Sequence, residues 1–446
     1  MIKNIRFYIL FLLAVAALGA NAQTTATTSS PYSRYGLGLL SPGTLPQNMA
    51  MGGISTAVNQ INGYNSINPL NPASYGKISL TTIDAGLYGN SVKLQQNGQA
   101  SARDGNFGIN HIAFAIPTSH SSAISFGLMP YSQLGYNYRQ TKANFGTGSS
   151  VDTNQVNYLY RGEGGLSKAH IGWGVTLFKH LSIGANVAYL FGELKQNQAT
   201  EIPGLIGTLN SRIEDNNSIG GLSYDYGLQY SFDLAPDRHL TFGYSGSANS
   251  KLNTQSSYIV SQYTLDANGV ANTAVDSLVN RQGVKNKIQL PQINRFGVSY
   301  QYDGKFLVGA DYTTGKWSNF SIAGVKQGLN DSQTFNVGGQ YTPNINAIGN
   351  YWATIDYRAG FIHEDTYLRI NNVAGGGTSN ITSNAVTVGL GLPLRPYYRN
   401  SYYKINVSAE IGQRGRLANG LIKENYVNIR IGFTLNDRWF QKLKFD

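Results

Sequence analysis

A two-residue alternation of apolar and polar side chains, with charges on its polar side, constrains this chain more than any other feature. In Tyr426 to Leu435, Val427, Ile429, Ile431, Phe433 and Leu435 share one side of an extended chain, and Asn428, Arg430, Gly432 and Thr434 share the other. The preceding run repeats the pattern, with Tyr403, Ile405, Val407, Ala409 and Ile411 opposite Lys404, Asn406, Ser408 and Glu410. Runs of this kind follow one another from about Ile78 onward. Each has a side for water and a side that avoids it. A β-sandwich turns the apolar side inward, whereas a membrane barrel turns it outward to lipid. Tyr224, Tyr226, Tyr230, Tyr300, Tyr302, Tyr312 and Tyr357 fall in register with aliphatic neighbours on the apolar side, which suits a lipid interface. Composition agrees: 52 glycines, 30 tyrosines and only 13% charged residues, about half the usual soluble share.

The reading is an all-β fold, a transmembrane antiparallel β-barrel of about 14 strands with an N-terminal plug. An Arg or Lys facing lipid at mid-bilayer costs roughly 2–4 kcal/mol, so the charged side must face the interior. Arg295, Asp311, Asp356, Arg358, Lys404, Glu410 and Arg430 are therefore expected to line the lumen. Strands are expected near 78–90, 106–116, 121–141, 155–178, 181–195, 219–232, 237–250, 292–302, 305–316, 333–342, 351–365, 383–393, 402–413 and 425–435. Short turns at Phe178-Lys179-His180, Leu234 to Asp237 and Asp303-Gly304 alternate with longer connections, of which 251–291 is the longest. With the last strand running toward the periplasm, the long connections fall outside the cell. The run 155–178 is read as one strand bent at Gly162, Gly164 and Gly165. Two strands joined by a turn at Gly164-Gly165 would make fifteen and spoil the alternation of short and long connections.

At the N-terminus Lys3 and Arg6 precede an apolar run from Phe7 to Leu18 and then Ala20-Asn21-Ala22. This predicts a cleaved signal peptide over 1–22 and a mature chain starting at Gln23, because the run falls short of the roughly 20 residues a helix needs to span a bilayer. The chain has no cysteine, which excludes disulfides, a lipoprotein anchor and thiolate metal sites. Its formal charge of +11 is scattered along the strands and loops. That argues against nucleic acid and suits anionic outer-membrane lipid and lipopolysaccharide. Residues 23–77 hold five of the thirteen prolines and no sustained strand period, yet Leu37, Met49, Met51, Ile54, Ile61 and Leu70 require burial. A wide barrel leaves a hole for such a segment. The expected organisation is signal peptide 1–22, hatch 23–77, barrel 78–435 and a periplasmic tail 436–446.

Ser30 to Gly38, the Met49 to Ile54 stretch with Gly52-Gly53, and Asn71-Pro72-Ala73-Ser74 resemble the hatch of the FadL/TodX family of outer-membrane transporters of hydrophobic compounds, in the version common among Bacteroidetes. In that family the hatch ends in an Asn-Pro-Ala element just before the first strand, and Asn71, Pro72 and Ala73 stand at that place. The resemblance implies a Gram-negative outer-membrane channel for small hydrophobic molecules. Related barrels are also non-transporting subunits of secretion or assembly complexes, so the partner is either a small hydrophobic ligand or another envelope protein. The connections here are mostly polar, with only Ile202 to Ile206 apolar. A lateral exit is expected where Asn71-Pro72-Ala73 meets a strand edge near Gly162 to Gly165. No enzyme, cofactor or metal is expected: His111, His120, His170, His180, His239 and His363 form no recognisable motif, and Gly243-Tyr244-Ser245-Gly246 lacks the second glycine of a nucleophile elbow.

Overall fold

The alternation closes on itself. A computed structural model describes residues 28–438 apart from 62–63, 144–154, 206, 267, 373–375 and 395–400. The signal peptide, Gln23 and the tail beyond Arg438 lie outside the described residues. Fourteen antiparallel strands form the ring: β1 (Thr81–Gln95), β2 (Ala102–Ser119), β3 (Ser122–Lys142), β4 (Val156–Leu177), β5 (Leu181–Glu201), β6 (Asn210–Ala235), β7 (Arg238–Ser247, resumed as Lys251–Tyr263), β8 (Asp276–Gln289, resumed as Ile293–Tyr302), β9 (Phe306–Gly315), β10 (Ser332–Tyr341), β11 (Asp356–Asn371), β12 (Thr378–Leu394), β13 (Tyr402–Arg414) and β14 (Lys423–Asp437). β14 pairs with β1 from Asp437↔Thr81 to Lys423↔Gln95 and closes the barrel, leaving no sheet edge there.

The two faces separate as their chemistry demands. On β14, Ile429 and Ile431 are about half exposed, at 48% and 50%, while Arg430 between them is 7% exposed. Tyr224, Tyr312 and Tyr357 also point outward. Between β13 and β14, Glu410 and Arg430 both face the interior and meet at 2.8 Å. Each charge is thus kept from lipid and neutralised inside.

Most of the described residues between 28 and 78 are buried, and they pack against inward-facing side chains of many strands. Pro31–Arg34 and Pro72–Lys77 form 3₁₀ turns and Pro46–Met49 a single helical turn, each opened by a proline whose missing N–H costs nothing at that position. Met51, Ile54, Val58 and Ile61 form an apolar cluster with Leu307 of β9. The backbone passes so close to the wall that a Cβ on Gly360 of β11 would lie 2.2 Å from the Gly52 nitrogen.

Three expectations change. The stretch 251–291 is not a loop: Lys251–Tyr263 and Asp276–Gln289 pair with each other and extend β7 and β8 outward from the barrel. Polar Thr254 and Ser261 take buried positions on Lys251–Tyr263, and Asp276 to Asn286 have no buried face, so no apolar alternation announces either strand. Strand β11 likewise runs to Asn371, into what was expected to be loop. At the end that carries the tight turns, the connection 342–355 is long, contains the 3₁₀ turn Tyr351–Thr354 and is tied to the wall where Tyr357 Oη donates to the Trp352 carbonyl at 3.1 Å. The run 155–178 is one strand, Val156–Leu177.

Candidate functional site

The wall is unevenly paired. Strands β2 and β3 form a ladder only from Ser119↔Ser122 to Ile112↔Leu128, whereas β2 continues along β1 to Ala102 and β3 along β4 to Lys142. Over Ala102–His111 and Met129–Lys142 the two strands are therefore not partnered with each other. The divergence begins at Met129, next to Pro130, which has no N–H to give, and the β3–β4 register slips just after the proline. Pro130 was the one sequence signal for this break, a proline inside a predicted strand.

The chain closes the break with its own N-terminal segment. Leu39 and Leu40 pair with Gln133 and Ser132 on the open edge of β3, and Ser41 N donates to the Tyr131 carbonyl at 2.9 Å. Ser33 Oγ donates to the Gly135 carbonyl and accepts from the Gly135 amide, both at 3.0 Å. On the β2 side Asn106 Nδ2 donates to Ser29 Oγ at 3.1 Å. On the β3 edge, backbone groups that lipid cannot satisfy are thus met from within. Gly135 has no room for a side chain, since a Cβ there would lie 1.8 Å from the Thr28 carbonyl oxygen.

Behind this seal lies a cavity of about 280 Å³ between the N-terminal segment and the wall. Leu39, Leu40, Met49 and Trp317 give it apolar patches, but Arg295, Arg414, Arg430, Asp311, Glu364, Glu410 and Glu424 also line it. Most of these charges are engaged. Arg414 Nη1 pairs with Glu424 at 3.2 Å, Arg430 with Glu410, and Ser30 Oγ donates to Glu424. One Asp311 oxygen accepts the Ser55 and Thr56 amides at 2.7 and 2.8 Å and so fastens the segment to β9. A second network stands nearer the tight-turn end. Asp356 accepts from Lys404 at 2.7 Å and Arg358 at 2.9 Å, Arg358 also donates to Gln340 and Asn406, and the Tyr64 ring lies 3.4 Å from the Lys404 nitrogen. All seven residues expected in the lumen thus face inward. Asp311 and Lys404 touch the N-terminal segment directly, whereas Glu410 pairs with Arg430 and Asp356 with Arg358 and Lys404 within the wall, a division that alternation alone does not reveal.

Asn71, Pro72 and Ala73 are not brought to Gly162, Gly164 and Gly165. Asn71 Nδ2 donates to the Thr56 carbonyl at 2.6 Å and its Oδ1 accepts from the Ala73 amide, capping the 3₁₀ turn. The group rests where Gly174, Gly184 and Gly227 leave space on β4, β5 and β6. Gly162 to Gly165 are paired with β3 on one side and β5 on the other, so no strand edge exists there for the asparagine to meet. They serve packing instead, Gly162 lying under the Tyr136 ring. Of the histidines, His111 donates to or accepts from Asp84 at 2.7 Å within the wall, and Ser245 Oγ has no hydrogen-bond partner among the described residues. No group of three or more His, Asp or Glu side chains that could hold a metal occurs among the described residues.

A family model described as BamG matches residues 1–446, the whole chain. The chain belongs to the BamG family. No curated protein matches it. In fold, this BamG-family barrel is similar to the Pseudomonas putida toluene transporter TodX, with a TM-score of 0.58, 16% identity, and 90% of this chain and 100% of that one covered. The Ralstonia pickettii toluene transporter TbuX gives 0.54 at 16% identity over 89% and 99%. A Pseudomonas aeruginosa FadL homologue gives 0.54 at 13% over 90% and 100%. The expected likeness to FadL/TodX proteins is therefore a likeness of architecture, a closed antiparallel barrel of fourteen strands.

Proposed function

We propose that this barrel is a non-transporting structural subunit of a protein complex in a Gram-negative outer membrane, with the strand extensions outside the cell. The charged, internally fastened chamber behind the wall break is the observation that carries this reading. A small apolar solute that hides about 150 Å² of surface gains roughly 4 kcal/mol in an apolar pocket. Seven charged side chains around the chamber behind the break remove much of that gain. The β3 edge of the break is stitched by backbone hydrogen bonds to the protein's own segment. A rigid, filled barrel suits a fixed position among partners better than passage of solute.

A second reading, uptake of a small hydrophobic molecule with exit through the wall, is favoured by one observation. The unpaired stretch between β2 and β3 adjoins the chamber, in a fold similar to that of toluene transporters. Toluene flux into lipid vesicles separates the two. Vesicles holding the purified barrel should take up toluene no faster than protein-free vesicles. Saturable acceleration would put the uptake reading in its place.

A further inference from the structure

The outer half of β8 has an edge that is largely unpaired among the described residues. Its inner neighbour, Lys251–Tyr263, is covered on both sides, by β6 along Asn210–Gly220 and by Asp276–Gln289. Asp276–Gln289 pairs on its far side only at Ile288 and Gln289, with Ile322 and Ser321, and Ala323 N donates to the Lys287 carbonyl. Among the described residues, Asp276 to Asn286 have no backbone partner on that side. At about 3.3 Å per residue this is roughly 35 Å of open ladder. Both faces are exposed along it, including Leu278 at 58% and Val284 at 41%.

An open edge of this length is a template for another strand, and its side chains select which one. Arg281, Lys285 and Lys287 lie along it, Lys251 stands on the next strand, and none of these four forms an ion pair among the described residues. The only acid on the edge is Asp276. A second copy is disfavoured: antiparallel self-pairing centred on Gly283 places Arg281 across from Lys285, and like charges directly opposite one another repel. An acidic segment turns the same cations into partners, while Leu278 and Val284 offer it apolar contact.

We propose that the free edge of Asp276–Asn286 receives an extended acidic segment of another envelope protein as an added β-strand. The proposal rests on the reading of the barrel as a complex subunit and names where, and to what chemistry, one partner binds.

Amide hydrogen exchange tests it. Exchange over 276–287 is measured for the barrel in native membranes, for the purified barrel in phosphatidylethanolamine vesicles, and for the purified barrel in vesicles containing lipopolysaccharide. The amides that face the open edge should exchange at least about tenfold more slowly in native membranes than in either vesicle, with Lys251–Tyr263 unchanged. The slowing should vanish in an R281E/K285E/K287E variant and persist in the charge-retaining R281K/K285R/K287R variant, both still assembling as heat-modifiable barrels. Equal exchange in all three preparations overturns the proposal. So does slowing caused by lipopolysaccharide alone, which assigns the cations to lipid, or slowing of the purified barrel with rising concentration, which assigns the edge to a second copy. If a partner copurifies while 276–287 exchanges freely, the edge proposal falls and the subunit reading stands.

Discussion

Asp356 shows how much of this molecule depends on single buried charges. It holds Lys404 and Arg358 together under the Tyr64 ring, and removing one partner from a buried ion cluster leaves the others unpaired in a poor solvent. Asp356→Ala should therefore lower stability by about 3–5 kcal/mol, read as a shift in the urea midpoint for unfolding from lipid vesicles. A change under about 1 kcal/mol would mean that water already screens the cluster. The outward face gives a paired prediction. Ile429→Arg places a cation toward lipid and should impair formation of the heat-modifiable barrel, whereas Asn428→Arg points into the chamber toward Glu410 and should assemble normally. Equal assembly of the two variants would contradict the face assignment. At this scale the sequence is informative about direction and silent about partnership. Arg430 must point inward because its neighbours are Ile429 and Ile431, but its contact with Glu410 depends on the cross-strand register, in which Ser408 stands opposite Arg430.

Strand β3 is the element whose behaviour decides how the wall is read. Its open edge is covered by Leu39–Leu40 and by the contacts of Thr28 and Ser33 at Gly135. Gly135→Val should push the Thr28 backbone away and loosen the seal. Because the chain has no cysteine, a Ser29→Cys reporter can be labelled selectively. Its reaction with a small maleimide should rise about tenfold or more when Gly135→Val is added, while Gly162→Val, on a fully paired strand, should disturb the Tyr136 packing without that increase. If both glycine variants raised labelling equally, the seal would not be local to β3. Strand existence was legible wherever one face meets lipid, as on β13 and β14, because two solvents impose the period. It was not legible for Lys251–Tyr263, whose buried side includes the polar Thr254 and Ser261, or for Asp276–Gln289, most of which is exposed on both faces. The break at β3 left one trace, Pro130, which by itself does not say which neighbour is lost.

The whole molecule combines a count that the sequence discloses with an interior that it does not. Fourteen strands follow from repeated alternation and from the turns that separate the runs, since each membrane crossing must repeat the same pattern. The burial of Leu37, Met49, Met51, Ile54 and Ile61 was legible in their apolar character. The fastenings at Asp311, Glu424 and Lys404 were not, because they join residues hundreds of positions apart in sequence. If the barrel is a fixed member of an assembly, its mass after extraction from native membranes in mild detergent should exceed its own. The expected result is a single species in which the barrel and at least one other envelope protein occur in constant whole-number ratio across preparations. A barrel recovered only at its own mass, from membranes in which known assemblies survive the same extraction, would contradict it.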